Sequence, residues 1–282
     1  MRIARFVHPG SAQVPAGMAW GVVEGPTGAN GGTPTSEGVA RGGPTDFSAL
    51  TVSAIAEHPF GAIEFTGDRW SLEDVRLVAP ILPSKVVAVA KNYADHAAEM
   101  GDEAPSSPVV FIKPSTSVIG HGDTIRLPVS DRVDFEGELA IVIGKPARDV
   151  SREEALGHVL GYMCGNDVSA RDQQKADGQF TRAKGHDSFC PIGPWIETLL
   201  DPSDLRITTS VNGQVKQDGR TKDMVHDVPT LISFVSNVMT LLPGDVILTG
   251  TPAGVGPIVA GDTVTIEIEG IGALSNKVAK KA

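Results

Sequence analysis

Asp134-Phe-Glu-Gly-Glu-Leu-Ala-Ile-Val-Ile143 places two glutamates at the head of an apolar run. Strand side chains alternate between faces, so Glu136 and Glu138 point to one side. Leu139, Ile141 and Ile143 fall on the other side and are expected in the core. Two carboxylates within ~7 Å on one strand face repel unless water or a cation separates them. A lone Glu-x-Glu strand is more often a solvated face than a metal site, so further ligands decide the matter.

Working outward, Asp167 stands where an apolar strand ends and a helix is expected to start. Asp is a good N-cap there, but a strand end is also where scaffolds commonly present ligands. Three carboxylates with no partnering Cys or paired His suit a hard cation such as Mg²⁺ or Mn²⁺ rather than Zn²⁺. Arg171 and Gln174 lie at i+4 and i+7 from Asp167, which predicts one shared helical face with a guanidinium and an amide beside the cation. Lys184 sits in a polar, Gly-containing loop, where a lysine is usually only a solvated charge. His96 and Glu99, at i and i+3, can form a base and its orienter, although such pairs are more often exposed and inert. Thr249-Gly-Thr-Pro-Ala-Gly-Val-Gly256 can present backbone N–H groups to an anion, but it lacks the dinucleotide and P-loop patterns.

At 282 residues the chain holds one large domain, or one with a small appendage. With 41% hydrophobic and 21% charged residues it fits a globular protein rather than a disordered one. A net charge of −10 argues against nucleic acid or an anionic membrane as partner. Two cysteines, Cys164 and Cys190, suggest no disulfide framework, and no signal-like or membrane-spanning apolar run is present, so a cytoplasmic setting is expected.

Short strands are expected at residues 2–7, 18–24, 63–65 and 75–78, with Trp70 as a packing anchor and a Gly/Thr/Pro-rich mobile surface loop over residues 25–44. Residues 1–80 therefore read as a small N-terminal β-rich domain, and residues 81–282 as the main domain. In the main domain, strands are expected at 85–90, 109–113, 159–164, 205–211, 245–249 and 263–268. Helices are expected at 91–100, 168–176 and 229–239, with another begun by a Ser151–Glu154 capping box. Asn212-Gly213 signals a hairpin. Strands and helices do not alternate regularly, which predicts an α+β fold with antiparallel or mixed sheet and excludes a Rossmann fold or TIM barrel.

The motifs gain specificity in combination. Asn92-Tyr-x-x-His96-x-x-Glu99, Phe111-x-Lys113-Pro, Asp134-x-Glu136-x-Glu138-Leu-Ala, Gly165-Asn-Asp167-x-x-x-Arg171-Asp-x-Gln174, Lys184-Gly, Pro243-Gly-Asp245 and Gly250-Thr-Pro-x-Gly-Val-Gly256 occur in this order. Over residues 85–278 the chain resembles the fumarylacetoacetate hydrolase family. The resemblance implies a β-rich α+β fold, usually homodimeric, with Mg²⁺ or Mn²⁺. It implies Glu136, Glu138 and Asp167 as metal ligands, and Arg171, Gln174, Lys184 and Thr251 as substrate-binding residues. Lys184 would also stabilise developing negative charge, and His96 and Glu99 would form a water-activating dyad. The implied substrates are 2-keto or 1,3-diketo acids, handled through an enolate held at the cation. C–C bond hydrolysis of acylpyruvate-type acids comes first. Oxaloacetate decarboxylation, isomerisation of hydroxy-dienedioates, and a metal-stabilised non-catalytic scaffold are the alternatives.

Overall fold

The computed structural model describes residues 1–10, 14–25 and 47–281. Of the Gly-rich stretch at residues 25–44, all but Gly25 lie outside the described residues. The chain begins with β1 (Arg2–His8), β2 (Gly17–Glu24), β3 (Thr51–Ile55), β4 (Phe65–Ser71) and β5 (Arg76–Val78). The antiparallel β1–β2 ladder matches the sequence expectation. Strand β3 was not foreseen, and β4 starts at Phe65, where the expected 63–65 strand was to end. Trp70 does act as an anchor: its ring stacks on His8 at 4.4 Å and meets Phe6 at 5.7 Å.

The chain continues through β6 (Val86–Ala90), α1 (Ala94–Glu99), β7 (Val109–Lys113), β8 (Val118–Ile119), β9 (Thr124–Leu127), β10 (Val133–Phe135) and β11 (Gly137–Ile143). Next come β12 (Val159–Asn166), β13 (Ser169–Ala170), α2 (Arg171–Asp177), α3 (Phe180–Lys184) and β14 (Cys190–Glu197). The last elements are β15 (Arg206–Val211), β16 (Gln214–Arg220), α4 (Val228–Val238), β17 (Val246–Leu248), β18 (Gly256–Pro257), β19 (Thr263–Ile268) and β20 (Gly272–Lys280).

The main sheet runs β4-β3-β2-β1-β14-β12-β11-β17-β6-β7, with β5 on β1 and β8 on β14. Most of its pairs are antiparallel, while β6–β17 and β8–β14 are parallel, so the sheet is mixed. A second sheet runs β16-β15-β19-β20-β9, and a small third one β13-β10-β18. The fold is α+β and β-rich. The N-terminal strands extend the main sheet, because β1 pairs with β14 through Arg2↔Glu197 and Ile3↔Ile196.

Strand β11 is buried along its whole length. Leu139, Ile141 and Ile143 pack with Ile207, Ile266 and Ile268 of the second sheet, as expected. Ala140 and Val142, on the glutamate side, are also core and pack with Val86, Ala88 and Leu248. Each large aliphatic side chain removed from water in this way contributes roughly 1.5–3 kcal/mol.

Two helix expectations change. The 168–176 helix begins only at Arg171, because Ser169 and Ala170 pair with Asp134 and Val133 of β10. Asp167 is therefore not an N-cap and does not share a helical face with Arg171 and Gln174. The Ser151–Glu154 capping box forms reciprocally, with Glu154 N–H donating to Ser151 Oγ and Ser151 N–H to Glu154 Oε2, yet only a 3₁₀ turn, Ala155–His158, follows it. The hairpin at Asn212-Gly213 has positive φ at both residues, as a type I′ turn requires. No helix among the described residues is long and apolar enough to cross a membrane.

Candidate active site

Register builds the acidic cluster. Pairing of β11 with β12 sets Gly137 opposite Asn166, which brings Asp167 beside Glu136. Asn166 Oδ1 accepts the Glu136 N–H at 3.0 Å, and the Asp167 N–H donates to Glu136 O at 2.9 Å. Glu136, Glu138 and Asp167 are all buried, and each offers an oxygen within 4.8 Å of the others. Gly137 faces the second sheet: a Cβ there would sit 2.0 Å from Thr209 Oγ1. The glycine lets the strand lie flush on that sheet while its two neighbouring glutamates turn the other way.

Cations surround two of the three carboxylates. Lys184 Nζ donates to Glu136 Oε2 at 2.7 Å and to Asp167 Oδ2 at 2.5 Å. Arg171 Nη2 donates to Glu136 Oε1 at 2.6 Å, and Lys113 Nζ to Asp167 Oδ1 at 2.5 Å. Burial pushes the Glu136 carboxyl upward, but Lys184, Arg171 and His96 outweigh it and hold the group well below the usual carboxylate range. Burial likewise works against the Lys184 charge, and Asp167 and Glu136 overcome it, so its pKa is raised.

Glu138 differs. It accepts the Gly250 N–H at 2.7 Å and has no cationic partner within ion-pair distance among the described residues. Burial first, then the charges of Asp167 and Glu136, push its pKa well up. A third buried carboxylate without a counter-charge suits a divalent cation, and an all-oxygen donor set fits Mg²⁺ or Mn²⁺. The residues present therefore suit the metal.

The remaining expected residues converge here. A cavity of about 160 Å³ is lined by His96, Glu136, Glu138, Arg171, Gln174, Lys184 and Thr251, among others. His96 Nδ1 lies 3.2 Å from Glu99 Oε2, and among the described residues Nε2 has no hydrogen-bond partner. Both Glu99 oxygens also accept the Gly254 N–H at 3.2 Å, tying α1 to the Gly250–Gly256 loop. Arg171 donates from Nε to Asp134 at 2.8 Å and from Nη1 to Gln174 Oε1 at 3.0 Å, so with its bond to Glu136 two of its five N–H groups remain. Thr251 lines the cavity with its hydroxyl already donated to Gly137 O at 2.8 Å. Gly250 is needed where it stands, with φ +96° and a would-be Cβ only 2.7 Å from Asn92 Cβ.

Sequence reasoning quoted Lys113, Asn92 and Asp134 in its motifs without assigning them a role. Lys113 is fully buried, and its signal was a lysine closing the apolar run of β7. Asn92 Nδ2 donates to Thr249 O at 2.8 Å and to His226 O at 2.9 Å, fastening the α1 segment to the loop after β17. Asp134 is buried and holds both Arg132 and Arg171. Gln217 was not foreseen: it ties Gly137 N–H to Thr251 Oγ1 across two sheets. Asp245 has a structural role, accepting from Ser84, Lys85 and the Leu242 N–H.

Known proteins resemble this chain over both of its parts. Residues 85–279 match the model described as fumarylacetoacetate (FAA) hydrolase C-terminal, and residues 1–80 match one described as Rv2993c-like, N-terminal. Protein Rv2993c of Mycobacterium tuberculosis is 61% identical over 83% of this chain and 90% of its own. Oxaloacetate tautomerase YisK of Bacillus subtilis is 44% identical over 74% of this chain and 76% of its own. A crystal structure described as 5-carboxymethyl-2-hydroxymuconate delta-isomerase from Mycobacterium smegmatis is 52% identical, covers both chains fully and superposes with a TM-score of 0.85. The chain belongs to the fumarylacetoacetate hydrolase family.

Proposed function

We propose that the protein is an enzyme of 2-keto acids that works through enolate chemistry, with keto–enol tautomerisation or double-bond isomerisation as its reaction. The observation that carries this reading is that His96, Glu136, Glu138, Arg171 and Lys184 line one small cavity, with Asp167 clustered against the two glutamates. Glu136, Glu138 and Asp167 would hold a divalent cation, which would supply Lewis acidity that lowers the cost of negative charge on a keto oxygen.

The chain's own residues do the rest. The two remaining N–H groups of Arg171 and the amide NH₂ of Gln174 bind the substrate carboxylate. Lys184 keeps a fixed positive charge on the same wall, where charge develops on the keto oxygen. His96 Nε2 takes a proton from the carbon beside the keto group and returns it elsewhere on the enolate, while Glu99 holds Nδ1–H. Two relatives named oxaloacetate tautomerase, from Bacillus subtilis and Xenopus laevis, support placing proton transfer ahead of bond cleavage.

C–C bond hydrolysis is the second reading, favoured by the same dyad. It needs one more element, a water deprotonated by His96 that attacks a distal carbonyl. Assays of oxaloacetate, acylpyruvates and hydroxymuconate-type acids with Mg²⁺ and Mn²⁺ separate the two. Tautomerisation or isomerisation is expected to dominate, with little pyruvate or CO₂ released. Pyruvate release from an acylpyruvate at equal or higher kcat/KM transfers the assignment to the hydrolase. Metal-raised melting temperature with no turnover leaves a metal-stabilised binding protein.

A further inference from the structure

The small cavity adjoins an outer cleft of about 520 Å³, and the two share Met100, Arg171, Gln174 and Phe180. Phe180, Met100 and Val255 give the cleft an apolar wall, while Arg132 and Lys175 bring positive charge. Arg171, Gln174 and Lys175 lie at i, i+3 and i+4 on α2, so one helical face serves both spaces. Lys175 stands about 6 Å further along the helix axis than Arg171.

The charges lining the outer cleft are committed, with one exception among the described residues. Asp134 holds Arg132 and Arg171, Glu136 holds Arg171 and Lys184, and Asp102 holds Lys91 at 2.9 Å. Glu99 is taken by His96 and the Gly254 N–H, and Glu138 by the Gly250 N–H. Among the described residues Lys175 has no carboxylate partner, and both acids lining the outer cleft, Glu99 and Asp134, are engaged elsewhere. A cation left open at the end of an apolar-walled extension of a carboxylate-binding site calls for an anionic group at the far end of the ligand.

We propose that Lys175 is a specificity determinant, receiving the distal carboxylate of a 2-keto dicarboxylate longer than four carbons whose hydrocarbon middle lies against Phe180, Met100 and Val255. Arg132 reinforces the field from the same cleft, with its Nε and Nη2 already on Asp134. This rests on the 2-keto acid reading above, which places the ligand's keto acid head in the inner cavity. The outer cleft then discriminates among acids long enough to reach it.

The test is calorimetric binding to the Mg²⁺-loaded protein of two six-carbon ligands, 2-oxoadipate and 2-oxohexanoate, which differ only in the distal carboxylate. For a solvent-facing charge pair the diacid is expected to bind about three- to tenfold tighter, and the ratio should shrink with added salt. The ratio should fall to within about twofold of one in Lys175→Gln and persist in Lys175→Arg. Equal affinities in the wild type, or a ratio that survives in Lys175→Gln, overturn the subsite and leave the 2-keto acid reading standing. Failure of both ligands to bind takes both down.

Discussion

Lys113 and Asp167 form a buried ion pair at the floor of the site, Nζ to Oδ1 at 2.5 Å, with Lys184 on the other carboxylate oxygen. Two ammonium groups thus share one metal-ligand candidate. Removing one member of a buried pair leaves an under-compensated charge and costs about 3–5 kcal/mol. Lys113→Met is expected to lower the metal-free melting temperature by roughly 6–20 °C, at about 2–4 °C per kcal/mol. Added Mg²⁺ or Mn²⁺ should restore more stability in this variant than in the wild type, since a cation then supplies the missing charge. Differential scanning calorimetry with and without metal checks this, and an unchanged metal-free melting temperature shows the pair to be inert.

Among the described residues, Glu138 has no cationic partner, and its hydrogen bond comes from the Gly250 N–H. Glu138→Gln keeps the shape and an oxygen for that N–H while removing the charge a cation needs. The metal-free protein should therefore keep its stability or gain slightly, because a buried uncompensated acid is gone. The metal-induced stabilisation, about 2.7 kcal/mol when the free ion stands at 100 times its Kd, should largely vanish. A full metal-induced shift in the variant removes Glu138 from the ligand set.

The site was legible in the sequence because its chemistry is local. Glu136 and Glu138 keep their two-residue relation on any strand, and Arg171 and Gln174 keep theirs on any helix. The reading of Asp167 as the start of that helix failed because the competitor is remote. Ser169 and Ala170 find backbone partners on β10, some 35 residues away, and extended pairing there outweighs local helix propensity. For the same reason the join of β1 to β14 was invisible, since Ile3 and Ile196 meet only through tertiary pairing. Strand β3 offered just Val52, Ala54 and Ile55 as apolar pattern, too short a run to stand out. Lys113 was quoted for its motif but given no role, because nothing local says that a strand-end lysine points inward.

Gly137 explains why two glutamates are separated by the smallest residue. A Cβ at this position would meet Thr209 Oγ1 at 2.0 Å and Gln217 Oε1 at 3.2 Å. Gly137→Ala is expected to cost about 1–3 kcal/mol by overpacking, and also to weaken metal binding, because the strand that carries Glu136 and Glu138 must lift. Thr209→Ala removes the nearest clashing atom, so the double variant should recover part of both losses. Thermal denaturation of the four proteins of this cycle, with and without Mn²⁺, reads the coupling. Strictly additive losses would mean that the two positions do not oppose each other.

His96 and Glu99 divide two jobs that separate variants can pull apart. His96 reaches the cavity with one ring nitrogen while Glu99 holds the other at 3.2 Å, and the same carboxylate accepts the Gly254 N–H. If His96 moves the proton, His96→Ala should lower kcat by about 10²–10⁴ and leave the Mg²⁺-induced rise in melting temperature intact. Glu99→Gln keeps an acceptor oxygen but removes the negative charge behind both hydrogen bonds, so its loss should be smaller and include a raised KM as the loop contact loosens. Steady-state kinetics on oxaloacetate tautomerisation, paired with metal titrations of stability, separates these outcomes. Equal loss of metal stabilisation in His96→Ala would recast the histidine as a structural support of the acidic trio rather than the group that handles the proton.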